Sequence, residues 1–160
     1  MSGQQLTVQG PNSGRTLHLS ADSSTDAAAP IFSEEWLGSE LWPAAPALVR
    51  VLERPEWRAR LQSSASPVVE LGAGTGAVGL AASVLGAGAV LVTDLPSVLP
   101  TLRHNVRANG LDGCVRCEEL SWVASEDELP AAFAPDGAEM VLGSDLLNPV
   151  YGESTQSGWR

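Results

Sequence analysis

The sequence predicts an α/β domain built on a mostly parallel sheet, and three observations carry that prediction. The apolar run Pro67-Val68-Val69 leads through Glu70-Leu71 into closely spaced glycines (Gly72, Gly74, Gly76, Gly79) and on into the Ala/Leu-rich stretch 80–85. That order reads as strand, tight turn, helix. A second apolar run, Ala89 to Thr93, ends in Asp94, eighteen residues after Gly76. Two further strand-like runs, Cys114 to Glu118 and Ala138 to Gly143, follow it. Strands alternating with helices imply a parallel sheet whose ligands bind beyond the carboxyl ends of the strands.

Glycines suit the turn because, lacking a Cβ, they adopt φ > 0 and let a ligand approach the backbone. The helix behind them presents unpaired N–H groups and a positive dipole end. Asp94, at the tip of the neighbouring strand, can accept hydrogen bonds from both hydroxyls of a ribose. Residues 67–94 therefore read as a nucleoside-binding βαβ unit. Gly72, Gly74 and Ala77 satisfy the loose dinucleotide pattern G-x-G-x-x-G/A, with Asp94 at a matching distance. Glu70 with Gly72-x-Gly74-x-Gly76 instead resembles the first motif of S-adenosylmethionine methyltransferases. That resemblance ranks the methyl donor ahead of a nicotinamide cofactor.

Composition narrows the partners. The 160 residues are 44% hydrophobic and 18% charged, within the ordinary range of a single globular domain. Net charge is -10 and all nine basic residues are arginine. Nucleic acid as the main partner is disfavoured, since a phosphate-binding face needs clustered cations. A basic peptide or protein surface is the better electrostatic match. No apolar run is long enough to span a bilayer, and the first thirty residues carry neither a signal-peptide core nor an arginine-rich transit pattern. The expected location is cytoplasmic or nuclear, away from membranes. Cys114-Val115-Arg116-Cys117 lies on an expected strand, where residues three apart face opposite sides, and no second pair completes a zinc site. Two reduced thiols and no metal are expected.

Along the chain, Leu6-Thr7-Val8 and Thr16-Leu17-His18-Leu19 flank Gly10-Pro11-Asn12-Ser13-Gly14, the pattern of a short β-hairpin. Residues 1–38 are read as hairpin and connector, and residues 39–160 as the nucleoside-binding domain. Pro43 pre-sets φ for a helix bearing Ala45, Leu48, Val49 and Leu52 at helical spacing. Pro55 opens a second helix with Trp57 and Leu61 on one face, and Trp36 and Trp57 are assigned to packing. After Asp94, Pro96 is expected to start a helix with the stripe Leu99, Leu102, Val106, capped by Gly110. Ser125-Glu126-Asp127-Glu128 resembles a capping box that Pro130 keeps short.

These motifs together resemble the seven-β-strand protein-lysine methyltransferases of the methyltransferase-like group, whose relatives modify chaperones, AAA ATPases and elongation factors. The resemblance runs from about Ser39 to Asp145. It includes Leu41-Trp42-Pro43-Ala44-Ala45, Val69 to Gly76, Val92-Thr93-Asp94-Leu95, Leu102 to Asn109, Glu119-Leu120-Ser121-Trp122 and Leu142-Gly143-Ser144-Asp145. The tryptophan before the glycines and the Leu-x-Trp after the third strand narrow it to this group. It implies a Rossmann-like class I methyltransferase fold with helices on both faces of the sheet, and S-adenosyl-L-methionine as cofactor. It places Trp42 near the methionine end, backbone contacts at Gly72, Ala73 and Gly74, the ribose on Asp94, adenine against Trp122, and Ser144 completing the pocket. Asp145 is the candidate to orient an incoming lysine amine.

The chain departs from the group at two motifs and in length. Asp-x-x-Tyr is here Asp145-Leu146-Leu147-Asn148, with the sole tyrosine, Tyr151, three positions late, and Leu-Asp-Trp is Leu120-Ser121-Trp122. A complete domain adds a fifth strand and a terminal antiparallel pair, so the sheet is expected to lack its last strands. Met140, Val141 and Leu142 would then lie on an open edge. Competing readings are a small-molecule methyltransferase and a non-catalytic cofactor-binding or interaction module.

Overall fold

The computed structural model describes residues 3–10, 14–20, 34–122 and 137–146. An antiparallel hairpin comes first, β1 (Gln4–Gln9) with β2 (Gly14–Leu19). Three helices follow: α1 (Glu34–Ser39), α2 (Ala44–Leu52) and α3 (Pro55–Ser63). The chain then alternates through β3 (Val68–Leu71), α4 (Ala77–Val84), β4 (Val90–Asp94), α5 (Leu99–Ala108), β5 (Val115–Glu119) and β6 (Met140–Gly143). β3 to β6 form one parallel sheet in the order β5-β4-β3-β6. The α/β class and the leading hairpin are as the sequence predicts.

Strand order locates the binding edge. The chain steps outward from β3 through β4 to β5, then returns to place β6 on the other side of β3. Such a reversal opens a crevice at the carboxyl ends of the two strands that flank it. Both outward crossovers step the same way, so right-handed connections set α4 and α5 on one face of the sheet. Burial on both sides follows from the apolar runs: Val68 and Val92 lie in the main core together with residues of α4 and α5, and Val69 and Leu91 are also buried.

Local sequence explains the helices. Ala45, Val49 and Leu52 form the buried stripe of α2, and Leu99, Leu102 and Val106 that of α5. Leu61 is buried on α3, with Trp57 partly buried against the core and the Arg60 guanidinium over its ring. Gly110 ends α5 at φ 62°. Its N–H donates to the Arg107 carbonyl at 2.9 Å and that of Leu111 to the Val106 carbonyl at 3.0 Å, the paired bonds of a Schellman motif.

Three boundaries differ from the sequence reading. α5 begins at Leu99, not Pro96; residues 96–98 form a preceding turn in which the Leu95 carbonyl accepts from Val98 N–H at 3.0 Å. A helix opened by Pro96 would carry Pro100 in its interior, where the ring removes a hydrogen bond. At the first turn, that missing N–H is unneeded anyway. β5 starts at Val115, because Cys114 N–H and Val115 N–H both turn back to the Leu111 carbonyl. β6 starts at Met140, three residues after the left-handed Gly137. Both cysteines are free and partly buried. The Ser125–Glu128 capping box, Pro130, Tyr151 and the Trp36 side chain lie outside what is described. No helix among the described residues is long and apolar enough to cross a membrane.

Candidate functional site

The site is built outward from the turn after β3. Gly72, Gly74 and Gly76 have φ of 56°, 54° and 81°, all in the left-handed region that favours glycine. The Gly76 N–H closes the turn on the Ala73 carbonyl at 2.7 Å, and the Ala73 N–H reaches the Thr93 carbonyl of β4 at 2.9 Å. Crowding adds to the demand at Gly72: a Cβ there would lie 2.7 Å from Leu146 Cδ2 and 3.1 Å from Trp122 Cζ2. Trp122 thus borders the turn directly.

Asp94 closes the same edge from β4. Gly74 N–H donates to its Oδ2 at 2.7 Å and Leu95 N–H to its Oδ1 at 2.8 Å, which fixes the carboxylate over the turn. Leu120 N–H donates to the Asp94 carbonyl at 3.0 Å, carrying Leu120-Ser121-Trp122 alongside. Ser144 leaves the sheet beside Gly72, since the register pairs Leu71 with Gly143. Trp42 arrives by a different route. Its indole N–H donates to the Leu37 carbonyl at 2.9 Å, and two residues on, the Ala44 N–H donates to Asp145 Oδ2 at 2.8 Å. Asp145 holds φ 57°, so the chain turns sharply after β6 to deliver that carboxylate to the start of α2. The structure therefore brings Gly72, Ala73, Gly74, Asp94, Trp122 and Ser144 to one edge and ties the Trp42 segment to it through Asp145.

Beneath the turn lies Glu70, 1% exposed, whose Oε2 accepts from Gly79 N–H at 2.7 Å. Burial pushes its pKa up to about 8, against the pull of the Gly79 amide and with a further push from the Asp94 charge. A Cβ on Gly79 would sit 2.7 Å from the same oxygen, so glycine is required there. Burial also pushes the Cys117 thiol up, with Arg103 and Arg107 opposing, which leaves a poor nucleophile. Among the described residues the edge brings together a carboxylate fixed by two backbone amides, a glycine-rich turn and the Trp122 indole.

Residues 32–156 match the lysine methyltransferase family. The chain belongs to that family. It is 35% identical to protein N-lysine methyltransferase METTL21A of Danio rerio over 147 residues, 87% of this chain and 62% of that protein. It is 32% identical to protein-lysine N-methyltransferase rrg1 of Schizosaccharomyces pombe over 150 residues, 89% of this chain and 48% of that one. Against EEF1A lysine methyltransferase 3 of Mus musculus the identity is 36% over 118 residues, 72% and 47% of the two chains. The chain thus spans about half to three fifths of the length of these relatives.

Sequence reasoning missed three neighbours of this turn. Leu146 packs across Gly72 and Gly143, and the Gly38 carbonyl would lie 3.3 Å from a Cβ on Gly74. Asn105 donates from Nδ2 to the Thr75 carbonyl at 3.0 Å. A signal for Asn105 is present in the sequence: it falls among the apolar positions of α5, and a second Asn follows four residues on, at the C-cap.

Proposed function

We propose that this chain binds S-adenosyl-L-methionine and transfers its methyl group to the side-chain amine of a lysine in a protein substrate. The observation that carries the reading is Asp94, held by the Gly74 amide at the rim of a glycine turn that Trp122 borders. A turn that would reject a Cβ at Gly72, beside an acceptor pair and an indole, fits a nucleoside with a compact charged tail.

In this reading Asp94 accepts from the ribose hydroxyls and Trp122 forms the wall against adenine. Gly72, Ala73 and Gly74 supply backbone contacts, Ser144 closes the pocket from β6, and Trp42 lines the methionine end, where an aromatic face attracts a cation. When bound, the cofactor supplies a methyl group already activated by its sulfonium. The protein's remaining work is alignment and exclusion of water, not acid–base chemistry on the donor. Asp145 orients the incoming amine by accepting one of its protons in a hydrogen bond. A carboxylate has about four acceptor positions, so capping α2 and receiving an amine are compatible. The acidic chain suits a basic, lysine-bearing protein surface, in the cytoplasm or the nucleus. The relatives named for EEF1A make an elongation factor the first substrate to try, ahead of chaperones and AAA ATPases.

Calorimetry on wild type and Asp94→Ala tests the cofactor. The donor or its demethylated product should bind wild type, and loss of a charge-assisted bond should weaken binding by about 1.5–3 kcal/mol. Tight NAD binding with no response to either would reverse the assignment. Radiolabelled methyl transfer to a lysate, with protein and small-molecule fractions separated, tests the acceptor. Label confined to small molecules, or binding without transfer, would replace the lysine reading with one of its two competitors.

A further inference from the structure

We propose that the N-terminal hairpin is a positioning element of the cofactor turn and acts through Asn105. Asn105 is fully buried, and its side-chain amide joins two backbones that share no ladder. Its Oδ1 accepts from Ser20 N–H, at the end of β2, at 3.0 Å. Its Nδ2 donates to the Thr75 carbonyl, inside the glycine turn, at 3.0 Å. One helical turn on, Asn109 clamps the same strand. Its Oδ1 accepts from His18 N–H at 2.9 Å, and its Nδ2 donates to the carbonyls of His18 and Asn105, each at 2.8 Å. The Arg15 guanidinium also donates to the Asn109 carbonyl. Alternate residues of an extended chain turn their backbone polar groups to one edge, so Asn109 and Asn105 receive His18 of β2 and Ser20 just beyond it as a neighbouring strand would.

The bond to Thr75 matters because of what shares its peptide plane. The Thr75 carbonyl and the Gly76 N–H belong to one rigid peptide unit, and that N–H is held by the Ala73 carbonyl at 2.7 Å. Asn105 and Ala73 therefore grip the two ends of one plane in the middle of the turn. Core filling alone does not call for asparagine here, since Leu99, Leu102 and Val106 already supply the apolar stripe and a buried amide is costly unless satisfied. The hairpin reaches the opposite wall too: Gln4 Oε1 accepts from Leu41 N–H, next to Trp42, at 2.8 Å. Both walls of the site are thus braced by the first twenty residues.

The effect on the turn stands on geometry alone, whereas the effect on cofactor affinity rests on the function proposed above, and the test separates them. Amide hydrogen exchange is measured on the ligand-free full chain for wild type, Asn105→Leu, Ser20→Pro and, as a control for lost stability, Val115→Ala at the remote start of β5. Asn105→Leu keeps the branched shape of the side chain, adds some bulk and removes both bonds; Ser20→Pro removes the donor amide at the hairpin end with no change at Asn105. Exchange at Gly76 and Ala77 should rise about tenfold in Asn105→Leu, less in Ser20→Pro, and no more than the global change in Val115→Ala. Affinity for S-adenosylhomocysteine should fall in the same order, by about tenfold for Asn105→Leu. Exchange at the turn no faster than in the control would overturn the proposal and leave Asn105 a core residue. Should Asn105→Leu fail to fold, Ser20→Pro decides by the same criterion. Wild type that binds no S-adenosylhomocysteine, with the exchange pattern as expected, would overturn the proposed function and leave the brace standing.

Discussion

Burial makes the protonation of Glu70 part of the fold. Its pKa rises from the 4.5 of a free side chain to about 8, so between those values the native protein binds more protons than the unfolded chain. Stability must then fall as pH rises through that window and level off above it. Glu70→Gln keeps an oxygen for the Gly79 N–H and removes the charge. It should flatten the dependence, and above about pH 8 it should exceed wild type by on the order of a few kcal/mol in scanning calorimetry. A wild type that gains stability from about pH 5 to about pH 8 would contradict the buried neutral acid. Gly72→Ala tests the turn itself. At φ 56°, with Leu146 Cδ2 only 2.7 Å from the new Cβ, it should cost more than about 1 kcal/mol in denaturant unfolding and weaken nucleoside binding with it.

At the scale of elements, α2 borrows its cap. Pro43 precedes the helix and offers no side-chain acceptor, and the Asp145 carboxylate at the end of β6 fills that role. Asp145→Ala should cost about 0.5–2 kcal/mol, whereas Asp145→Asn keeps an oxygen for Ala44 and should cost far less. If Asp145 also orients the amine, the Asn variant should retain stability while losing methyl transfer, a split that thermal melts and turnover on one preparation would show. Legibility in the sequence follows the same division between local and distant partners. The turn and Asp94 could be read because their spacing is local and carries its own chemistry. Asn105, Asn109 and the capping role of Asp145 could not, because their partners lie 85, 91 and 101 residues away. The start of α5 was misread because Pro96 and Pro100 both satisfy the rule for a helix opening, and only the hydrogen bonds choose between them. The two sheet edges also differ in character: β5 carries Arg116, Glu118 and Glu119, while β6 presents Val141 at 50% exposure and, among the described residues, pairs only with β3. Apolar edges invite pairing with another chain. Where self-association is seen in sedimentation, Val141→Lys should lower the association constant.

Among the described residues the hairpin is part of the main core. Leu6, Val8, Leu17 and Leu19 alternate along β1 and β2, none more than 6% exposed, in the same cluster as Val68, Leu80 and Leu102. A two-stranded hairpin is marginal in water by itself, so this one owes its order to the helices beneath it. The asparagine clamp and the Gln4–Leu41 bond then set its orientation. A domain joined in this way should unfold as one cooperative unit. Leu17→Ala, which opens a cavity at a side chain with no exposure, should cost about 2–5 kcal/mol. The loss should appear undiminished in tryptophan fluorescence, although no tryptophan lies in β1 or β2. Hydrogen exchange in the hairpin strands should report the same free energy as the fluorescence transition. If Leu17→Ala instead freed the amides of β1 and β2 while the fluorescence midpoint stayed in place, the hairpin would be an appendage. Its grip on the glycine turn could then carry no more free energy than the hairpin's own local stability, and loss of the hairpin would leave Gly72–Gly76 and Asp94 in their present arrangement.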